Sequence, residues 1–329
     1  MTGQNIQDEI DQLRERLDTL RAEMATSFLG QHDIAELLLL SLLAGGHALL
    51  EGAPGLGKTT LVRSLADSLA LGFRRVQFTP DLMPADILGS RILKSGTQGS
   101  PEFTFERGPV FTQILLADEV NRATPRTQSA LLEAMQERQV TIYGKTLPLE
   151  QPFQVIATQN PIEMEGTYPL PEAQLDRFLV KIQLHLPPRK ELQRILEATT
   201  GSEPEPNRPV LQQAEVCRIQ ALVRDIPVSD DILAKVAALV HATHPGSDLA
   251  TEQTRKLVRF GSSPRGGQAL LLMAKARALV AGRLHVTGDD IASLAAPCLR
   301  HRLILGYEAD ATGTSADAVV EQAWAALPN

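Results

Sequence analysis

The sequence predicts an α/β fold in which a parallel, doubly wound five-stranded sheet carries helices on both faces and is followed by a separate all-α domain. Three observations predict it. The apolar run Ala48–Glu51 leads into a glycine-rich turn and then into an apolar-periodic helix. Four more apolar runs alternate with helical segments as far as Leu184. Past a proline-rich stretch, the remainder is rich in Ala and Leu with helical periodicity. Strand–helix alternation implies parallel strands joined by crossovers, and a change of pattern across a breaker implies a second domain.

At the N-terminus, Ile6, Ile10, Leu13, Leu17, Leu20 and Met24 alternate spacings of four and three. That is the seam of a short coiled coil or helical hairpin. A helix packed on its own domain satisfies the same pattern, since so few heptads make a marginal coiled coil. Residues 1–27 are therefore read as an amphipathic helical arm, which Gly30 separates from a Leu-rich helix, Ile34–Leu43. Candidate strands follow at Ala48–Glu51, Arg75–Thr79, Gln113–Ala117, Phe153–Thr158 and Leu179–Leu184, with helices at Thr59–Leu69 and Pro125–Glu137. Ile114-Leu115-Leu116-Ala117 and Val155-Ile156-Ala157 lack polar alternation, as strands covered on both faces should. Two stretches read as hairpin insertions. Ile92-Leu93 and Phe103-Thr104-Phe105 flank a run from Lys94 to Ser100, and Val140–Ile142 and Thr146–Pro148 flank Tyr143-Gly144-Lys145. Gly201 to Arg208, with three prolines by Pro209, is the clearest linker. The organisation is thus an arm (1–27), an α/β core with two hairpin insertions (28–200), a linker (201–210) and a helical domain (211–329).

The chain of 329 residues is long enough for two buried cores. Its 43% hydrophobic and 22% charged content excludes wholesale disorder. A net charge of −7 argues against a chain-wide nucleic-acid or anionic-membrane footprint. Cys217 and Cys298 are far apart with no Cys-x-x-Cys spacing, which fits a reducing compartment and no structural zinc. Acidic residues near the N-terminus are unlike an export signal, so a cytoplasmic location is expected. The most apolar stretch, Ile34 to Leu50, is interrupted by Glu36, Gly45-Gly46 and His47, and reads as a buried helix running into a buried strand rather than a membrane span.

The chemistry concentrates in a few motifs. Gly52-Ala53-Pro54-Gly55-Leu56-Gly57-Lys58-Thr59, with Thr60 next, follows a strand and opens a helix. The glycines let successive backbone N–H groups turn toward phosphate oxygens, Lys58 adds a mobile positive charge, and Thr59 offers a hydroxyl to Mg²⁺. Ile114–Ala117 ends in Asp118-Glu119. A carboxylate at Asp118 can hold Mg²⁺ directly or through water, and Glu119 can polarise an attacking water. His241-x-x-His244 has no Cys or acid in a ligand pattern and adjoins Pro245-Gly246, so it is not read as a metal site.

In combination, the phosphate loop, Leu115–Ala123, Ala157-Thr158-Gln159-Asn160-Pro161 and Glu172–Phe178 closely resemble the AAA+ ATPases of the MoxR family. The resemblance runs from about Leu29 to the end of the chain and leaves the arm outside. It implies hydrolysis of ATP to ADP and phosphate with Mg²⁺, held by residues 52–60 and Asp118. It assigns Asn160 as a first sensor of the γ-phosphate or attacking water, although Asn-Pro is also a frequent turn dipeptide. Arg177 matches an arginine finger reaching a neighbouring subunit, the plain alternative being an ion pair with Asp176. Arg265, in Gly261-Ser262-Ser263-Pro264-Arg265-Gly266, matches a second sensor that contacts nucleotide in cis from a helical lid. The two hairpins match inserts that tend to line a central pore. The sequence departs from protein-threading machines in having no clear aromatic-hydrophobic-glycine pore loop. The resemblance further implies a homo-oligomeric ring, most often a hexamer, and chaperone-like remodelling or maturation of client proteins with von Willebrand factor A domains. The alternative is a nucleic-acid motor or loader of the same superfamily, which Lys94 and Lys145 on the hairpins would serve.

Overall fold

Alternate residues of the central strands bury themselves in two different cores, and this sets the architecture. Leu50, Leu116 and Ile156 enter one core, while Leu49, Leu115 and Val155 enter the other. Side chains alternate across a strand, so a sheet with both faces apolar must be covered on both sides. The computed structural model describes residues 3–95, 101–161, 166–201 and 205–327. The turn at 96–100 and Ser202-Glu203-Pro204 of the linker lie outside the described residues, as do the side chains of Ile6, Ile10 and Lys94.

The chain opens with helices α1 (Gly3–Ser27) and α2 (His32–Leu43), then β1 (Ala48–Glu51), α3 (Lys58–Ser68) and β2 (Phe73–Gln77). A short helix α4 (Pro84–Leu88) leads into an antiparallel hairpin, β3 (Gly89–Ser95) and β4 (Pro101–Arg107). Then come β5 (Ile114–Asp118), α5 (Pro125–Glu137), a second hairpin of β6 (Gln139–Ile142) and β7 (Lys145–Pro148), and β8 (Gln154–Gln159). The core ends with α6 (Glu172–Leu175), β9 (Val180–Gln183) and α7 (Arg189–Thr199). Five strands form one parallel sheet in the order β2-β5-β8-β1-β9. Each lies within two residues of its sequence-predicted position.

The remainder is helical: α8 (Gln213–Asp225), α9 (Asp230–Ala242), α10 (Glu252–Leu257), α11 (Pro264–Val280), α12 (Gly288–Leu299), α13 (Tyr307–Thr312) and α14 (Ala316–Ala325). The side chains of Ser229, Thr251, Ser263, Thr287 and Ser315 cap five of these helices by accepting a first-turn N–H. A small antiparallel pair, β10 (Val258–Phe260) and β11 (Ile304–Leu305), is an element the sequence pattern does not announce.

Of the two readings of the N-terminal arm, the structure takes packing within the chain. Leu17, Leu20 and Met24 are buried in the core shared by α3 and α11. Each such side chain contributes roughly 1.5–3 kcal/mol when fully buried. Arg16 pairs with Glu215 on α8, Arg21 Nε donates to Glu36 at 2.8 Å, and Asn207 donates to the Glu23 carbonyl. No helix among the described residues is long and apolar enough to cross a membrane.

His47, just before β1, ties the sheet to α5. Its Nδ1 accepts from the Val155 N–H at 2.9 Å and its Nε2 donates to the Met135 carbonyl at 3.0 Å. Burial pushes its pKa down from 6.5 to about 4. The unfolded chain then binds a proton that the folded chain refuses between those values, so stability falls as pH drops from about 6.5 toward 4. His47→Gln should flatten that fall by up to roughly 3 kcal/mol, read as the difference between the two proteins' denaturation midpoints across this range.

Candidate functional site

In a parallel sheet every strand points the same way, and the loops leaving the C-terminal ends gather along one edge. β1 ends at Glu51, β5 at Asp118 and β8 at Gln159, so Gly52, Asp118, Glu119 and Asn160 converge there. Gly55 (φ +81°) and Gly57 (φ +80°) take left-handed backbone that side chains disfavour. A Cβ on Gly52 would lie 3.0 Å from the Leu184 carbonyl oxygen, so the loop also needs glycine for close approach. Helix α3 begins at Lys58 and aims its first N–H groups toward the loop. Lys58 Nζ donates to the Gly52 carbonyl at 2.8 Å, which closes the loop on itself.

Thr158 binds the acidic pair together. Its hydroxyl donates to Asp118 Oδ1 at 2.6 Å and accepts from the Glu119 N–H at 2.8 Å. Arg75 on β2 donates to Asp118 Oδ2 at 2.6 Å. Glu119 has left-handed backbone (φ 55°), and its Oε2 accepts from Gln77 at 2.7 Å and from Arg122 at 3.0 Å. Asn160, 5% exposed, lies one residue beyond the end of β8. Thr59 and Asp118 offer only hard oxygen donors, the chemistry Mg²⁺ prefers. Among the described residues no group of three or more His, Cys, Asp or Glu forms a metal cage, so any Mg²⁺ here would draw further ligands from phosphate and water. His244, whose Nε2 lies 2.9 Å from the Ser262 carbonyl oxygen, is spent on backbone.

Arg177 and Arg265 lie elsewhere. Val180 pairs with Ala48, and Gln183 with Glu51, so Arg177 precedes the N-terminal end of β9 while the phosphate loop follows the C-terminal end of β1. Three strand steps between them span about 10 Å. Arg177, Arg265, Asp176, Arg302 and His47 line a cavity of about 240 Å³ that contains no phosphate-loop residue. The buried Nε of Arg177 has no hydrogen-bond partner. Asp176 does not take Arg177 as its ion-pair partner. It accepts from Arg302 Nε at 2.8 Å and Ser263 Oγ at 2.9 Å, and lies 3.9 Å from the Arg265 guanidinium. In this arrangement Arg265 lines a cavity with Arg177 that holds none of the chain's own phosphate-loop residues, so the cis contact implied by the resemblance is not made. Ser263 caps α11 and is anchored on Asp176, and this holds Arg265 beside Arg177.

A second cavity, about 420 Å³, adjoins the phosphate loop. Gly55, Leu56, Gly57 and Thr60 form one side, the end of α1 with Leu29 and Gln31 another, and α7 the third. Sequence reasoning passed over Arg75, Gln77, Thr158 and Arg302. Only Thr158 stood inside a quoted motif. The others act through strand order and lid packing.

The hairpins meet each other. Tyr143 (φ 50°) and Gly144 (φ 74°) make a two-residue turn with both φ values positive, and the Arg91 guanidinium lies 4.7 Å from the Tyr143 ring centroid. Leu93 and Phe103 sit opposite each other across β3 and β4, both exposed.

Comparison with known proteins places this geometry. The family described as "ATPase family associated with various cellular activities (AAA)" matches residues 47–180, and the AAA lid domain matches residues 251–323. The chain is 45% identical to the uncharacterized protein YeaC of Bacillus subtilis (strain 168), over 91% of this chain and 90% of that protein. It is 43% identical to the chaperone MoxR1 of Mycobacterium tuberculosis, over 91% of this chain and 78% of that one. The protein MoxR of Paracoccus denitrificans is 33% identical over 91% of this chain and 92% of its own length. A crystal structure of a putative ATPase from Cytophaga hutchinsonii superposes with a TM-score of 0.92 at 37% identity, covering 99% of this chain and 98% of that one. That coverage takes in the N-terminal helix, which the motifs had left outside the resemblance.

Thr158→Val keeps the shape of the side chain but leaves Asp118 Oδ1 and the Glu119 N–H each short of a buried partner. The expected loss is about 2 kcal/mol of unfolding free energy, measured by chemical denaturation at neutral pH.

Proposed function

The chain belongs to the MoxR family of AAA ATPases, and on that premise we propose that it hydrolyses ATP at a site shared between two subunits and uses the energy to remodel protein clients. The observation that carries this reading is the division of the site between opposite edges of one parallel sheet. The phosphate loop, Asp118, Glu119 and Asn160 lie on the C-terminal edge, and Arg177 with Arg265 lies beyond the N-terminal end of β9.

Residues 52–60 bind the phosphates through backbone N–H groups, with Lys58 exchanging its bond to the Gly52 carbonyl for the terminal phosphates. Mg²⁺ held by Thr59 and Asp118 would supply charge neutralisation between the terminal phosphates. Asp118 gives up its bond to Arg75 to reach that position. Glu119 is held by Gln77 and Arg122, so it turns away from both to polarise water, and Asn160 orients that water or the γ-phosphate. Arg177 and Arg265 of a neighbouring copy reach the γ-phosphate, where a cation stabilises the charge of the transition state. Repeating this head-to-tail contact until it closes makes a ring, and the hexamer is the family-based expectation for its size. The relative named as a chaperone supports protein clients, and that these carry a von Willebrand factor A domain is the family-based expectation. Two free cysteines fit action in the reducing cytoplasm.

Glu119→Gln should retain ATP binding while steady-state turnover falls by about 100-fold or more, and Lys58→Ala should lose binding itself. Normal turnover by Glu119→Gln would remove Glu119 from the mechanism. Arg177→Ala and Arg265→Ala should each lose on the order of 10³ in rate. Each should regain activity when mixed with Lys58→Ala subunits, because the intact arginines then face an intact phosphate loop. If Arg265 acted in cis, its variant would stay inactive in demonstrably mixed rings while Arg177→Ala recovered.

A further inference from the structure

Asn121 and Arg122 follow the acidic pair directly, and the phosphate chemistry above gives neither a contact with nucleotide. Val120–Arg122 forms a short 3₁₀ turn whose N-cap is Glu119, and the Arg122 N–H donates to the Glu119 carbonyl at 2.9 Å. Such a turn brings residues three apart to one side, and the Arg122 guanidinium lies 3.0 Å from Glu119 Oε2. The turn itself is pinned. Gln128, fully buried, donates to the carbonyls of Val120, Ala123 and Tyr168, and the Tyr168 N–H donates to the Asn121 carbonyl at 2.6 Å. Asn121 thus acts through its backbone, and any exchange of partners at this turn falls to the side chains of Glu119 and Arg122.

Those two side chains differ in access. That of Arg122 is 43% exposed and that of Glu119 19%, so the guanidinium is the more open to an incoming ligand. An ion pair this open costs little to break. For Glu119 to act on an attacking water, the γ-phosphate must end one water away from it. That sets a multiply charged anion beside a carboxylate, and a cation between them relieves the repulsion. Arg75 is already engaged with Asp118, whereas Arg122 is engaged with Glu119 itself. A phosphate accepts the paired N–H bonds of a guanidinium as a carboxylate does, and it carries the larger charge.

We propose that Arg122 contacts the γ-phosphate of its own subunit's ATP, leaving Glu119 in exchange, and so distinguishes ATP from ADP. ADP offers no group at that position, so with ADP bound Arg122 stays on Glu119. The inference rests on the ATP reading above and gives its site a cis-acting arginine. Arg177 and Arg265 cannot take this part within one chain, because they lie at the other edge of the sheet.

Calorimetric titrations of the full chain with ADP and with β,γ-imido-ATP, which keeps the γ-phosphate and resists hydrolysis, test the contact. Arg122→Ala should lose about tenfold in affinity for the imido analogue and stay within about twofold of the parent for ADP. The retained ADP affinity shows that the variant is folded. Arg122→Gln, which keeps a donor for Glu119 without the charge, should show the same split. Mixing supplies a second readout. Arg122→Ala should turn over at least about tenfold more slowly at saturating ATP. Unlike Arg177→Ala, it should not recover when mixed with Lys58→Ala subunits, because Arg122 and Lys58 serve the same phosphate loop. Unchanged affinity of both variants for the imido analogue, an equal loss for ADP in both, or recovery in demonstrably mixed assemblies overturns the assignment. Failure of the parent to bind either nucleotide overturns the ATPase reading instead.

Discussion

The polarity of the parallel sheet is the constraint from which the site follows. Strands β1, β5 and β8 lie side by side and all run toward the phosphate loop, so their ends deliver Gly52, Asp118, Glu119 and Asn160 to one edge without long loops. β9 runs the same way, which obliges the segment before it to lie at the far edge. A residue such as Arg177, three positions upstream of β9, is therefore placed by hydrogen-bonded register and not by a mobile loop. No side-chain rotation carries a guanidinium from one edge of such a sheet to the other. On the proposed mechanism, hydrolysis at this loop is a property of an assembly because of strand direction.

The far edge is held rigidly from within the chain. β9 is the edge strand of the sheet, and the backbone carbonyls just before and within it would be open to water. The end of α12 covers them. Arg302 donates to the carbonyls of Asp176 and Phe178, His301 meets Phe178, and Arg300 reaches Lys181 while paired through both its arms with Asp317. Arg302 is 8% exposed, and burial lowers its pKa while Asp176 partly restores it. Breaking such a buried pair costs several kcal/mol, since the remaining charge has no water to turn to. These bonds tie Asp176, and with it the neighbouring Arg177, to the same lid segment that holds Arg265. In the proposed assembly, the arginines offered to one subunit's nucleotide would report the lid position of the next.

The sheet was legible because its strands are both apolar and short, and glycine, Pro125 and the acidic pair mark where they end. The individual helices of the lid were not read, although their starts carry a local signal. Ser229, Thr251, Ser263, Thr287 and Ser315 each cap a helix. Strand order is another matter. Arg75 and Gln77 touch Asp118 and Glu119 only because β2 pairs with β5, and nothing local in either segment says so. Arg265 shows the same limit from the opposite direction. Its motif was plain, but its partner Asp176 and its edge of the sheet depend on how α11 docks.

Helix α1 illustrates how one periodic pattern serves two tertiary solutions. The spacing of Leu13, Leu17, Leu20 and Met24 is that of a coiled-coil seam, and within the chain the same stripe lies across α3 and α11. Period alone defines a face; what covers the face depends on the apolar area available nearby. Helices α2, α3 and α11 of the same chain supply that area, and α1 packs against all three. Burying Leu17 and Leu20 fully fixes the axial position of α1, which carries Phe28 to the phosphate loop and sets Gln31 at the start of α2. Core, lid and the wall of the cavity beside the phosphate loop thus share one helix.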